Sequence, residues 1–361
     1  MHLSRRFLIA LGFAFLASGS LRAQTSTPIN EPRPWWRDRP YGPAFVPSEG
    51  TPLPRIRVLG NRFVDPDAKP VLFRGVSISD PDKLVRQGHW DTNHFLHIKE
   101  LGANLVRIPV HPGAWRAQGK VAYLRMLDDA VRWCTDLGIY VDIDWHSIGN
   151  LQMELFQDPM YDTSRKETFE FWRTIAQHYR GNSTVAFYEL FNEPTLMRGQ
   201  LGSMSWSEWK KLNEDMIRLV RAFDTNTIPL VAGLDWAYDL TPLNIEPLQA
   251  ERIGYVVHPY PNKRPRPWEP RWDVDFGFAA ARYPVIATEI GFSVPKGTTV
   301  KDDDYGRVIT RYLESRGMSW VAWCYDPEWG PTLLRSWNYE LTGSGEFFRQ
   351  VLHEPVAEMQ K

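Results

Sequence analysis

The sequence predicts an α/β fold, a (β/α)8 barrel, and three observations carry the prediction. Short apolar runs alternate with amphipathic stretches from residue 71 onward. Such alternation means parallel strands joined by crossover helices. Eight runs fit into about 300 residues, within the usual size of that barrel. No glycine-rich turn follows the first run, as a nucleotide-binding open sheet requires. The doubly wound open sheet is therefore the second choice.

The elements follow in order. Residues 55–65 read as a hairpin turning at Gly60-Asn61. The first strand is expected over 71–76, followed by a helix over 93–101 that stops at Gly102. A second strand (104–109) leads to an amphipathic helix (121–137) ending at Gly138. The third strand (139–146) and the helix 164–179 come next, then the fourth strand (185–191) and the helix 206–223. Strands five, six and seven are expected over 228–233, 253–258 and 284–288. A helix (302–315), the eighth strand (319–323) and a closing helix (345–353) complete the pattern.

Two segments precede the barrel. Residues 1–23 look like an export signal: Arg5-Arg6, an apolar run from Phe7 to Ala17, and a plausible cleavage site at Leu21-Arg22-Ala23. The run is too short for a stable membrane span. The Arg pair matches a twin-arginine signal only loosely, so the general secretory route and a periplasmic or extracellular location are expected. Residues 24–54 hold eight prolines and read as an arm or linker, in which Trp35-Trp36 are expected to dock. The catalytic domain is expected over 55–355.

The chain has 361 residues, 43% of them hydrophobic, which supports one large core. Its formal charge is −1, and removal of Arg5, Arg6 and Arg22 with the signal makes it −4. Nucleic acid and anionic membrane are thereby disfavoured as partners. No zinc-ligand or phosphate-loop spacing occurs, so neither metal nor cofactor is expected. The two cysteines, Cys134 and Cys324, are read either as a disulfide or as buried thiols. Sixteen Trp and fourteen Tyr are many for this length; flat rings suit both a core and a sugar cleft.

In a barrel of this kind the site lies at the C-terminal strand ends. Those ends carry Ser77 and Ser79, Arg107, Asp144-Trp145-His146, Asn192-Glu193, Trp236 with Tyr238 and Asp239, His258 with Tyr260, Glu289, and Trp323. Glu193 and Glu289 stand on strands four and seven, which face across the mouth. Two such carboxyls suit acid/base and nucleophilic work on a sugar bond. Asn192 is placed to donate to a sugar 2-hydroxyl, Arg107 to keep Glu289 ionised, and Tyr260 to bond the same carboxylate. His146 and His258 are expected to hold hydroxyls or orient the acid, and Trp323 to form a platform. Taken singly, each group has a structural reading, an ion pair or a satisfied core histidine; the ordered set is what points to chemistry.

That set resembles glycoside hydrolase family 5, the cellulase-type retaining glycosidases of clan A. The family's pattern matches Arg107, His146, Asn192-Glu193-Pro194, His258-Pro259-Tyr260, Glu289 and Trp323, over a span from Arg55 to His353. The resemblance implies a (β/α)8 barrel, with Glu193 as acid/base and Glu289 as nucleophile. It implies a β-linked polysaccharide or oligosaccharide as partner, with a monomer expected. An exported retaining endo-β-1,4-glycanase, an endoglucanase first, is the resulting expectation. A β-mannanase or an exo-acting β-glucosidase of the same family comes second. A non-catalytic carbohydrate-binding barrel and a metal-dependent hydrolase are weaker alternatives. Trp90, Trp115, Trp236, Trp268, Trp272, Trp329 and Trp337 fall in inferred loops as candidate sugar platforms. Asp326 to Pro331 reads as a substrate loop in which Asp326 and Glu328 either meet substrate or face water.

Overall fold

The computed structural model describes residues 51–356 apart from Lys296. The expected export signal and nearly all of the proline-rich arm, with Trp35 and Trp36, lie outside the described residues.

Eight strands close into a barrel in which every neighbouring pair is parallel. They are β1 (Arg74–Ile78), β2 (Leu105–Val110), β3 (Tyr140–Trp145), β4 (Val185–Glu189), β5 (Ile228–Ala232), β6 (Gly254–Val256), β7 (Val285–Ile290) and β8 (Ser319–Tyr325). β8 closes on β1, with Trp320 opposite Arg74. All eight are buried on both faces, which is why they read as nearly continuous apolar runs.

The helices are α1 (Pro81–Arg86), α2 (Thr92–Leu101), α3 (Pro112–Gln118), α4 (Lys120–Leu137), α5 (Arg165–Tyr179) and α6 (Trp206–Arg221), followed by α7 (Glu269–Asp275), α8 (Tyr305–Ser315) and α9 (Gly343–His353). Local signals set their ends. Asp91 and Ser164 cap α2 and α5, each by accepting a backbone N–H of the first turn. Ser205 and Glu208 form a reciprocal capping box on α6. Gly102 and Gly138 end α2 and α4 in the left-handed conformation.

The N-terminal hairpin pairs Arg57–Leu59 with Arg62–Val64 and plugs the bottom of the barrel. Phe63, Phe73 and Phe187 meet there edge to face, with centroids 4.9–6.0 Å apart. Gly254 is required by this plug, because a Cβ there would lie 2.8 Å from Leu230 Cδ2 and 3.0 Å from Phe63 Cζ. The first strand begins later than its apolar run suggests. Val71 N donates to Phe63 O (2.9 Å), so the start of that run pairs with the hairpin and β1 opens at Arg74. Leu53 and Pro54 are tied to the same end through Thr184, Ser183 and Tyr140. Cys134 and Cys324 are free and buried, which resolves their reading as thiols. Among the described residues no helix is long and apolar enough to cross a membrane.

Candidate active site

Strand alternation puts Leu105 and Arg107 of β2 on one face, so the same face that fills the apolar plug carries a guanidinium two residues higher. Arg107 is fully buried and reaches three carboxylates. Its Nε and Nη2 donate to Glu189 (2.8 and 3.0 Å), Nη1 donates to Glu289 Oε1 (2.9 Å), and Nη2 lies 3.0 Å from Asp144 Oδ2. Burial works against the Arg107 charge, but Asp144, Glu189 and Glu289 more than offset it and hold its pKa well above the usual value. Asp144 in turn lies 2.6 Å from His146 Nδ1. Burial pushes the Asp144 carboxyl up against the pull of Arg107, and lowers His146.

Glu189 and Asp142 are a contrasting pair. Burial works against the charge of Glu189, yet Arg107 and His258 hold its pKa down to about 2. Asp142 lies opposite Arg107 in the β2–β3 register and is pushed up by burial and by Glu189. Glu189 meets it through both its carboxyl and its backbone N–H. A buried carboxyl set against another carboxylate keeps its proton. Asp142 thus acts as a neutral acid beside an anion.

The two glutamates of the mouth are joined through His258. Its Nδ1 lies 2.9 Å from Glu193 Oε1 and 3.7 Å from Glu289 Oε2, and its Nε2 lies 2.9 Å from Thr288 Oγ1. The Thr288 hydroxyl donates to Glu189 Oε1 (3.1 Å), so it accepts from His258. Both imidazole nitrogens then act as donors, which requires the charged ring. Burial opposes that charge, but Glu289, Glu189 and Glu193 outweigh it and raise His258 to about 9. Glu289 also accepts from Tyr260 OH (2.7 Å). Burial pushes Glu289 above the ordinary carboxylate range while His258 and Arg107 pull it down. Arg107 therefore moderates the burial of Glu289 without fully reversing it.

A short extra sheet aims Glu193. The chain leaves the barrel after Glu189, and Glu193–Pro194 pairs in parallel with Ile148–Asn150 beyond β3. Glu193 N donates to Ser147 O (3.1 Å) and Asn192 N to Trp145 O (3.2 Å). Asn192 Oδ1 accepts from Arg107 (2.6 Å), while its Nδ2 has no partner among the described residues. Trp323 lies parallel to His146, 2° between planes and 5.5 Å between centroids. Trp236 lines the same cleft as Glu193 and Tyr260, a space of about 820 Å³ continuing past Lys263, Arg264 and Phe292 to Pro331.

All nine expected site residues therefore meet at one mouth: Arg107, His146, Asn192, Glu193, Trp236, His258, Tyr260, Glu289 and Trp323. Four of the seven candidate platforms do not. Trp115 packs on Tyr123 and Phe171, Trp268 and Trp272 stack on each other beside Tyr305, and Trp90 packs on Trp133 and Phe95. Asp326 does not face water either; it is buried and pairs with Lys83, which also holds Glu328 at 3.1 Å. Glu189, Asp142 and Thr288 went unread in the sequence, although polar residues at inward strand positions are a usable signal. One oxygen each of Glu193 and Glu289 and one nitrogen of His258 lie within 4.8 Å of one another, compact enough for a cation. The adjacent charges of Arg107 and His258 disfavour one there.

The chain resembles known proteins over most of its described length. The model of the cellulase family, glycosyl hydrolase family 5, matches residues 64–328. A β-glucanase from Saccharophagus degradans is 44% identical, with a TM-score of 0.83, covering 88% of this chain and 98% of its own. That protein has also been solved with cellotetraose. An endoglucanase from Clostridium saccharobutylicum is 24% identical over 82% of this chain and 64% of its own length. Endoglucanase E-5 from Thermobifida fusca is 24% identical over 79% and 59%. The chain thus spans less than two thirds of the length of these curated relatives.

Proposed function

This chain belongs to the cellulase family, glycosyl hydrolase family 5, and on that premise we propose that it is an exported retaining endo-β-1,4-glucanase. The observation that carries the reading is the approach of Glu193 and Glu289 oxygens to within 4.8 Å around His258. Retaining enzymes hold their two carboxyls about 5–5.5 Å apart, whereas inverting ones need ~6.5–9.5 Å for a water between them.

In the first step Glu289 attacks the anomeric carbon while Glu193 gives its proton to the departing glycosidic oxygen. His258 occupies Glu193 Oε1, so the proton sits on Oε2. In the second step Glu193 takes a proton from water, the oxygen of that water attacks the same carbon, and Glu289 leaves as carboxylate. Arg107 and Tyr260 hold Glu289 from two sides. The unpartnered Asn192 Nδ2 is suited to a sugar hydroxyl, and Trp323 to the face of the ring. The long open cleft and the cellotetraose bound by the Saccharophagus degradans protein favour an unbranched glucan, with mannan second. Residues 1–23 favour export by the secretory route to the periplasm or beyond.

The test is product analysis on cellulose, mixed-linkage glucan, xyloglucan and mannan, with the anomer of the first product followed by NMR. Internal cleavage of β-1,4-glucan with β-configured product is expected. An α-configured first product would exclude double displacement, and faster release from mannan would replace the substrate.

A further inference from the structure

His111 follows β2 directly and lies outside the set discussed above. Its backbone N–H donates to Asp80 Oδ2 (2.8 Å), and its Nδ1 lies 3.0 Å from the same oxygen. Tyr123 OH donates to that oxygen as well (2.8 Å), and Asp82 N donates to Oδ1 (2.7 Å). Asp80 is therefore fixed from four directions. A carboxylate only accepts, so His111 donates from Nδ1, and in the neutral ring this tautomer leaves the lone pair on Nε2. The Asp80 contact engages Nδ1 alone, and Nε2 points away from it on the other side of the ring.

His146 repeats the arrangement one strand over, with Asp144 behind Nδ1. The two imidazoles are 4.6 Å apart. Each stands beside an indole of the β8 side: His146 is parallel to Trp323, and His111 meets Trp329 edge-on at 5.2 Å. Trp323 and Trp329 are within 11° of parallel, with 6.4 Å between centroids. Trp329 is held in place, since its N–H donates to Asp326 Oδ1 (2.8 Å) and Lys83 sits 5.0 Å from its ring centroid. The β8–β1–β2 side of the mouth thus offers two flat rings and two imidazoles, each held at Nδ1 by an aspartate with Nε2 on the opposite edge.

We propose that His111 is a specificity-determining residue of the cleft, accepting a sugar hydroxyl beyond the ring over Trp323 and so selecting glycan that is unsubstituted at that position. The inference rests on the glycosidase reading above. Only an O–H satisfies a neutral imidazole nitrogen. An ether or ester in its place brings no proton and leaves the nearly buried lone pair unmatched, which costs affinity.

The experiment measures kcat and KM for wild type, His111→Phe and His111→Gln on a soluble β-1,4-glucan and on a partly O-methylated preparation of the same length. Phenylalanine keeps a ring against His146 and Trp329 and removes the acceptor; glutamine keeps an acceptor oxygen. His111→Phe is expected to lower kcat/KM on plain glucan roughly tenfold, mainly through KM, and to change it less than about twofold on the methylated glucan. His111→Gln is expected to recover part of the preference, and carries the test by itself if the Phe variant fails to fold. Equal losses on both substrates, or none on either, would overturn the proposal. Wild-type protein inert on both substrates would instead sink the β-1,4-glucanase reading, and the inference with it.

Discussion

The two ends of the barrel are built from the same strands and carry opposite chemistry. On β4, Phe187 belongs to the apolar plug and Glu189, two residues on, belongs to the charged cluster. On β2 the same step leads from Leu105 to Arg107. The bottom is closed by Phe63, Phe73 and Phe187, and stabilises by removing apolar surface from water. The top buries Arg107, His258 and at least four carboxyls, a grouping that costs desolvation at every member. It persists because each charge has a partner: Arg107 bridges Asp144, Glu189 and Glu289, His258 bridges Glu193 and Thr288, and Asp142 keeps its proton. One end of the barrel holds the fold together, and the other spends that stability on a preorganised polar site.

Three measurements can break or sharpen this contrast, in decreasing size of effect. Glu289→Ala at the top is expected to reduce turnover by on the order of 10⁵-fold, with the melting temperature little changed. Azide should restore part of the activity and give product of inverted configuration. Turnover near wild type would remove Glu289 as nucleophile. Phe187→Ala at the bottom is expected to do the reverse: a loss of about 3–5 kcal/mol in stability, with kcat within about twofold of wild type well below the melting point. Calorimetry beside kinetics decides; a large fall in kcat would show that the plug and the site are not separable.

The smallest effect is the response to alkali. His258 titrates at about 9 in the fold, against about 6.5 in the unfolded chain. Its stabilisation is fully present below about 6.5 and is lost as pH rises through about 9, on the order of 3 kcal/mol. Asp142 and Asp144, whose carboxyls are also raised, act with the same sign. Melting temperature is therefore expected to fall between about pH 6.5 and 9. The Phe187→Ala curve should lie below the wild-type curve and run parallel to it. A flat wild-type curve across that window would mean that His258 is not charged in the fold.

The order of strands and helices was legible because the hydrophobic period switches between two and 3.6 residues along the chain, and because Gly102, Gly138 and Ser164 mark helix ends. Glu193 and Glu289 were legible as polar breaks at the ends of apolar runs. Glu189 and Asp142 were not, because the inward direction of a strand residue depends on register against its neighbours. The tryptophans misled for a related reason. Trp268 and Trp272 lie in a stretch without strand character and are nonetheless buried, their rings stacked 5.9 Å apart. Asp80 and His111 are 31 positions apart, and nothing local announces that one orients the other.

The sequence by itself determined the (β/α)8 class, the sequence of elements, the two opposed carboxylates and the family's residues around them, because these depend on local periodicity and on side-chain type. Only the tertiary structure decided which charges neighbour which. Closing eight strands into a ring brings Arg107, Glu189 and Glu289 from three different strands within hydrogen-bonding reach, with His258, just past β6, 3.7 Å from Glu289. The protonation state of each buried group follows from that proximity and from the loss of water, and neither is a property of any short stretch of chain.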